Sequence, residues 1–107
     1  MIEIKKGADN TYRFSLKTNG GNTLLQSVDF RDEKDVKKTI GNLRPLIENH
    51  SVFERKTDHN GNFLFNLKDD KGKIIGNSQL YGSEAGMENG IKNLKNCITT
   101  LTNSGKS

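Results

Sequence analysis

The chain of 107 residues has no tryptophan, one proline and one cysteine, and only 7% of it is aromatic. Cys97, alone, excludes an intramolecular disulfide and any site built from several thiolates of one chain. Nowhere do more than a few apolar residues adjoin, so no segment reaches the roughly 20 apolar residues of a membrane-spanning helix. The start, Ile2-Glu3-Ile4-Lys5-Lys6, lacks the apolar stretch of a secretory signal. These absences together lead us to expect a cytoplasmic protein. Hydrophobic residues make up 31% of the chain and mean hydropathy is -0.77, so a core must come from periodic placement. At this length one domain, residues 1–107, is expected.

Charge is present in both signs. Seventeen Lys and Arg oppose thirteen Asp and Glu, for a net +4 that divides evenly between residues 1–50 and 51–107. No basic tail concentrates it, which is the pattern of a solvated surface more than of a nucleic-acid arm.

The clearest signal is internal. Displaced by 51 positions, the sequence aligns with itself without a gap: Glu3 meets Glu54, Phe14 meets Phe65, Leu16 meets Leu67, Ser27 meets Ser78, and Asn42, Leu43 and Ile47 meet Asn93, Leu94 and Ile98. Two repeats are expected, over about 1–50 and 51–107. In each, alternating stretches (Tyr12, Phe14, Leu16; Phe63, Phe65, Leu67) predict half-buried strands. Turns at 19–22 and 69–72 lead into second strands over 23–28 and 74–78, and Ile2–Lys6 and Val52–Lys56 predict a further strand each. The period then changes to that of a helix: Val36, Ile40, Leu43, Ile47 in one repeat and Met87, Ile91, Leu94, Ile98 in the other. Asp32 and Ser83 stand at N-cap positions, and Pro45 is expected to end the first helix. The β-branched run 98–102 is expected to be a short strand after the second.

In the second repeat, residues 60–68 (NGNFLFNLK), Ile74-Ile75, Ser78-Gln79-Leu80-Tyr81 and Gly90-Ile91 with Leu94 resemble the signature of the YegP-like family, small bacterial proteins with a domain of unknown function in one or two copies. The first repeat departs from it at Val28, at Phe30 in place of the tyrosine, and at Thr39 in place of the helix glycine. The resemblance implies an α+β fold of two tandem βββα(β) repeats. They would share one antiparallel sheet in a pseudo-two-fold arrangement, each donating the strand after its helix to the other. Two amphipathic helices and one apolar sheet face independently imply that both helices lie on one side. The family brings no established activity, so no catalytic residue carries over.

The residues themselves argue against an enzyme. His50 and His59 stand at no metal-ligand spacing, neither phosphate-loop nor dinucleotide motif occurs, and Asp69-Asp70 reads as a hairpin tip. Ser78, Tyr81 and Ser83 form a hydroxyl cluster without a nearby base. A packed tyrosine with its hydroxyl bonded, beside a helix cap, explains it. Cys97, flanking the apolar stripe, reads as a small half-buried residue. Gly86 and Gly90 are costly inside a helix and suggest close approach of the other helix, with a ligand groove as the alternative.

No catalytic, metal or cofactor site is expected. Strand parity instead gathers Lys5, Arg13, Lys17, Lys56 and Lys68, with only Glu3 and Glu54, on the sheet face away from the helices. This face is the candidate polyanion site, set against a solvated face of cross-strand Glu and Lys pairs. Its aromatics point inward, unlike those of single-strand-binding sheets. The expected protein is therefore a non-enzymatic binding or interaction module with a protein or nucleic-acid partner, and alternatively a weak nucleic-acid binder. Because the two repeats satisfy each other within one chain, a monomer is expected, with Lys, Glu and Asn guarding the edge strands.

Overall fold

A computed structural model describes residues 2–18 and 20–104; Asn19 of the first predicted turn lies outside them. The elements run β1 (Ile2–Lys6), β2 (Tyr12–Lys17), β3 (Thr23–Ser27), α1 (Glu33–Gly41), α2 (Leu43–Ile47), a 3-10 turn (His50–Val52), β4 (Phe53–Thr57), β5 (Phe63–Lys68), β6 (Ile74–Asn77) and α3 (Glu84–Ser104). All six strands form one antiparallel sheet in the order β1-β2-β3-β6-β5-β4.

The alternation seen in sequence becomes the core. Phe14, Leu16, Phe65 and Leu67 are fully buried, and they join Val36 of α1 and Met87, Ile91, Leu94 and Ile98 of α3 in one cluster. Both helices therefore cover the same face, and the other face is open. The hairpin turns are closed by carboxylates: Asp58 accepts from the amides of Asn60 and Asn62, and Asp69 from those of Lys71 and Lys73, each at 2.9 Å. Gly72 follows at a φ of 85°, a conformation that a side chain would strain.

The halves meet at β3 and β6, where Gln26 pairs with Asn77 and Ser27 with Gly76. A Cβ at Gly76 would stand 2.7 Å from the backbone oxygen of Gln26, so only glycine lets the strands close there. The expected exchange of strands is corrected: β4, the first strand of the second half, pairs only with β5 of that same half and forms an edge, and among the described residues no strand follows α3 that could be exchanged.

Three further expectations are corrected. Residues 98–102 are helical, because Ile98 continues the buried stripe and the threonine hydroxyls bond back within the helix, Thr99 to the carbonyl of Lys95 and Thr100 to that of Asn96. Pro45 ends the first helix not at the residue before it but four residues upstream, at Gly41. Its missing N–H and its ring conflict with the carbonyl of Gly41, so the helix stops there, and α2 restarts with Pro45 in its first turn where no donor is needed. Gly90 does not receive the other helix: a Cβ there would meet the Tyr81 phenolic oxygen at 2.1 Å, so the glycine makes room for the Tyr81 ring. The expected caps are in place, with Asp32 accepting from the amide of Lys34 and Ser83 from that of Gly86. No described helix is long and apolar enough to cross a membrane.

Candidate functional site

On the open face the strand registers align one residue from every strand into a row across the whole sheet: Glu3, Ser15, Gln26, Asn77, Asn66, Glu54. Side-chain amides link its second half. Asn77 donates to Asn66 Oδ1 at 2.6 Å, and Asn66, itself buried, donates to Glu54 Oε1 at 3.1 Å. An amide both donates and accepts, so it passes the hydrogen bond along the row. A carboxylate closes each end.

The five predicted cations all lie on this face and flank that row. Four of them are paired with carboxylates. Lys17 Nζ is 3.1 Å and Lys5 Nζ 3.7 Å from Glu3 Oε1, Lys68 Nζ is 2.9 Å from Glu54 Oε2, and Arg13 is 2.9 Å from Asp29 Oδ1. Lys56 alone of the five has no carboxylate within 4 Å among the described residues. The Lys17 hydrogen bond and charge hold the Glu3 carboxyl below the usual range, with a smaller contribution from Lys5. Glu54 is held low in the same way, first by the hydrogen bond from Lys68 and then by that from Asn66.

Sequence reasoning missed three members of this face: Gln26, Asn77 and Asp29. The first two face outward only through the β3–β6 seam, a pairing between distant segments that local alternation does not reveal. The one signal available was the 51-residue displacement, which superposes Gln26 on Asn77. Asp29 stands just past the end of β3, beyond the parity count that found the other charges.

The hydroxyl cluster holds the fold. Ser78 Oγ accepts from the amide of Phe65 at 2.9 Å and donates to the carbonyl of Gln79 at 2.8 Å. Ser27 repeats both contacts with Phe14 and Val28 at the same distances. Ser83 caps α3. The Tyr81 hydroxyl, expected to be bonded, is instead buried without a hydrogen-bond partner among the described residues, because the ring is pressed against Gly90. Cys97 is half-buried, its Sγ 3.7 Å from the carbonyl of Lys17. His59 is exposed in the turn that precedes β5.

On the helix side, the break between α1 and α2 leaves an open groove of about 730 Å³ beside the β5–β6 turn, floored by Val28, Phe30, Leu46 and Ile74. In the second half α3 runs unbroken for 21 residues and reaches the first hairpin at Cys97.

Comparison with known proteins points in one direction. The profile of a family described as "Domain of unknown function (DUF1508)" matches residues 58–103. The chain is 38% identical over 101 residues to the UPF0339 protein YegP of Escherichia coli K12, covering 94% of this chain and 92% of that one. It is 32% identical to the "UPF0339 protein in ptx operon 5'region" of Stutzerimonas stutzeri, covering 89% and 86%. Among solved structures, the solution structure of the E. coli protein of unknown function yegP superposes with a TM-score of 0.84 at 37% identity, over 92% of this chain and 84% of that one. That of a UPF0339 protein from Shewanella oneidensis does so with 0.83 at 27% identity, over 89% and 80%.

Proposed function

The chain belongs to the YegP-like UPF0339 family, whose function is unknown, and from that premise we propose that it is a non-enzymatic interaction module that meets a protein partner through the open polar face of its sheet. The observation that carries this reading is the charge arrangement of that face. Four of its five cations are already matched to carboxylates, around a row of amides that can donate and accept. Such a mosaic suits a protein surface of mixed polarity, where complementary charges and hydrogen bonds fix the register of docking.

A nucleic-acid partner is the weaker reading. Affinity for a phosphate backbone grows with the number of cations that displace counterions, and an ion-paired lysine must first give up its carboxylate. Among the described residues the same face shows no outward aromatic on which bases could stack, since Phe14 and Phe65 are fully buried on the other side. The non-enzymatic reading is supported by Ser78, whose hydroxyl proton is already donated to a backbone carbonyl. A half-buried Cys97 without a second cysteine in the chain favours a reducing compartment such as the cytoplasm.

The reading extends to the architecture. Two tandem repeats related by a pseudo-two-fold axis through the Gln26–Asn77 pair account for the palindromic strand order and for the matched contacts of Ser27 and Ser78. The polar row then lies across the axis, and either half offers the partner a similar surface.

Site-specific photocrosslinking in cells tests the function. A crosslinker at exposed Gln26 should give a discrete protein adduct that disappears with Asn77→Arg, whereas one at exposed Lys92 on α3 should not. Equal adducts from both positions, or none from Gln26, would sink the proposal.

A further inference from the structure

The sheet has two edges, β1 and β4, and their backbone polarity follows from their neighbours. In β2 the amides of Tyr12 and Phe14 point toward β3, bonding the carbonyl of Phe30 and the hydroxyl of Ser27. Arg13 and Ser15 therefore face β1, and their register partners Lys5 and Glu3 direct their N–H and C=O groups inward. The outward groups of β1 belong to Ile2, Ile4 and Lys6. Ile4 also leaves a large apolar side chain 38% exposed at this edge, on the helix side.

Antiparallel pairing of this edge with itself, centred on Ile4, is self-complementary. Ile4 would exchange both backbone hydrogen bonds with Ile4 of a second copy, and the two side chains would cover each other. Glu3 would stand opposite Lys5 of the second copy, and Lys5 opposite its Glu3, on the open face. The same construction on β4 fails. There the amides of Phe63 and Phe65 point away from β4, so the outward groups are those of Phe53, Arg55 and Thr57, and pairing about Arg55 sets two guanidinium groups opposite each other. Arg55 is moreover held by two hydrogen bonds to Glu88 of α3.

We propose that β1 is a homotypic docking edge, through which a second copy of the chain extends the six-stranded sheet across a two-fold axis at Ile4. The Lys and Glu residues expected to guard this edge instead select its partner. Five-residue strands bury less than a standard stable interface, so the association is weak and set by concentration. It is closed, because each copy has one β1 and both are used.

Sedimentation equilibrium of the full chain from micromolar to millimolar concentration tests this. The expected result is a monomer–dimer equilibrium that Lys5→Glu weakens about tenfold, by placing Glu3 opposite a second carboxylate. The exchange Glu3→Lys with Lys5→Glu should restore it. Ile4→Pro removes only an outward N–H and should abolish the dimer while the amide spectrum of the sheet persists. A monomer at every concentration overturns the proposal, as does a dimer indifferent to Lys5→Glu and Ile4→Pro. Growth beyond the dimer would also overturn it, since pairing of β1 with β4 has no closure.

Discussion

The ring of Tyr81 lies over the backbone of Gly90, so that a methyl group added at residue 90 would stand 2.1 Å from the phenolic oxygen and 2.5 Å from its ring carbon. Displaced by 51 positions, the pair falls on Phe30 and Thr39, which line one groove beside α1.

Gly90→Ala should therefore destabilise the protein by about 1–3 kcal/mol through overpacking, although the same change in an unobstructed helix stabilises it by about 1 kcal/mol. Combined with Tyr81→Ala, it should cost less than the sum of the two changes, since without the ring the added methyl group meets no clash. Urea unfolding of the four proteins in the cycle measures the coupling. An additive cycle would mean that the ring and the glycine are unrelated.

The two structural serines should differ in cost. Ser27 is buried and Ser78 half-buried, while each accepts a strand amide at 2.9 Å. Ser27→Ala leaves the Phe14 amide unsatisfied away from water and should cost about 1–3 kcal/mol. Ser78→Ala should cost less, because water can reach the Phe65 amide. Thermal unfolding of both variants checks the order.

At the seam, Gly76→Ala should be among the more damaging changes, because its Cβ would meet backbone and not a side chain that could move aside. Amide exchange should lose protection first in β3 and β6, with the outer pairs β1–β2 and β4–β5 opening later. Uniform loss across the sheet would show that the seam has no special role.

Acid should weaken the open face in a defined direction. Glu3 and Glu54 have carboxyl pKa values below their unfolded value of about 4.3. The stability they contribute is therefore fully present above that value and is lost as pH falls through their folded values. Carbon-detected titration of the two side chains should give midpoints below the ordinary carboxylate range, and Glu54→Gln should flatten the acid limb of the stability profile. A midpoint at or above the ordinary range for Glu54 would contradict the Lys68–Glu54–Asn66 geometry.

Much of this fold is legible in the sequence where one short segment decides its own state. The alternation at Tyr12–Leu16 and Phe63–Leu67, the stripes through Val36 and Met87, and the caps at Asp32 and Ser83 all recur in the structure. What was not legible depends on contacts with distant or neighbouring groups. The row through Gln26 and Asn77 exists only because β3 meets β6, and Gly90 is explained by a ring nine residues away that local rules do not aim at it. The helix over 98–102 was hidden because β-branched threonines look like a strand until their hydroxyls bond the preceding turn. Parity places the five cations on the open face, but parity alone does not show that Asp29 and the two glutamates neutralise most of them.

Four of the five cations of the open face are committed to its own carboxylates, and an amide chemical-shift titration with short single-stranded RNA and DNA at low and moderate salt reads out that commitment. No shifts clustered at Lys5, Arg13, Lys17, Lys56 and Lys68 are expected at either salt. Saturable shifts at those residues that fade steeply as salt rises would contradict it, and would make the face a polyanion site.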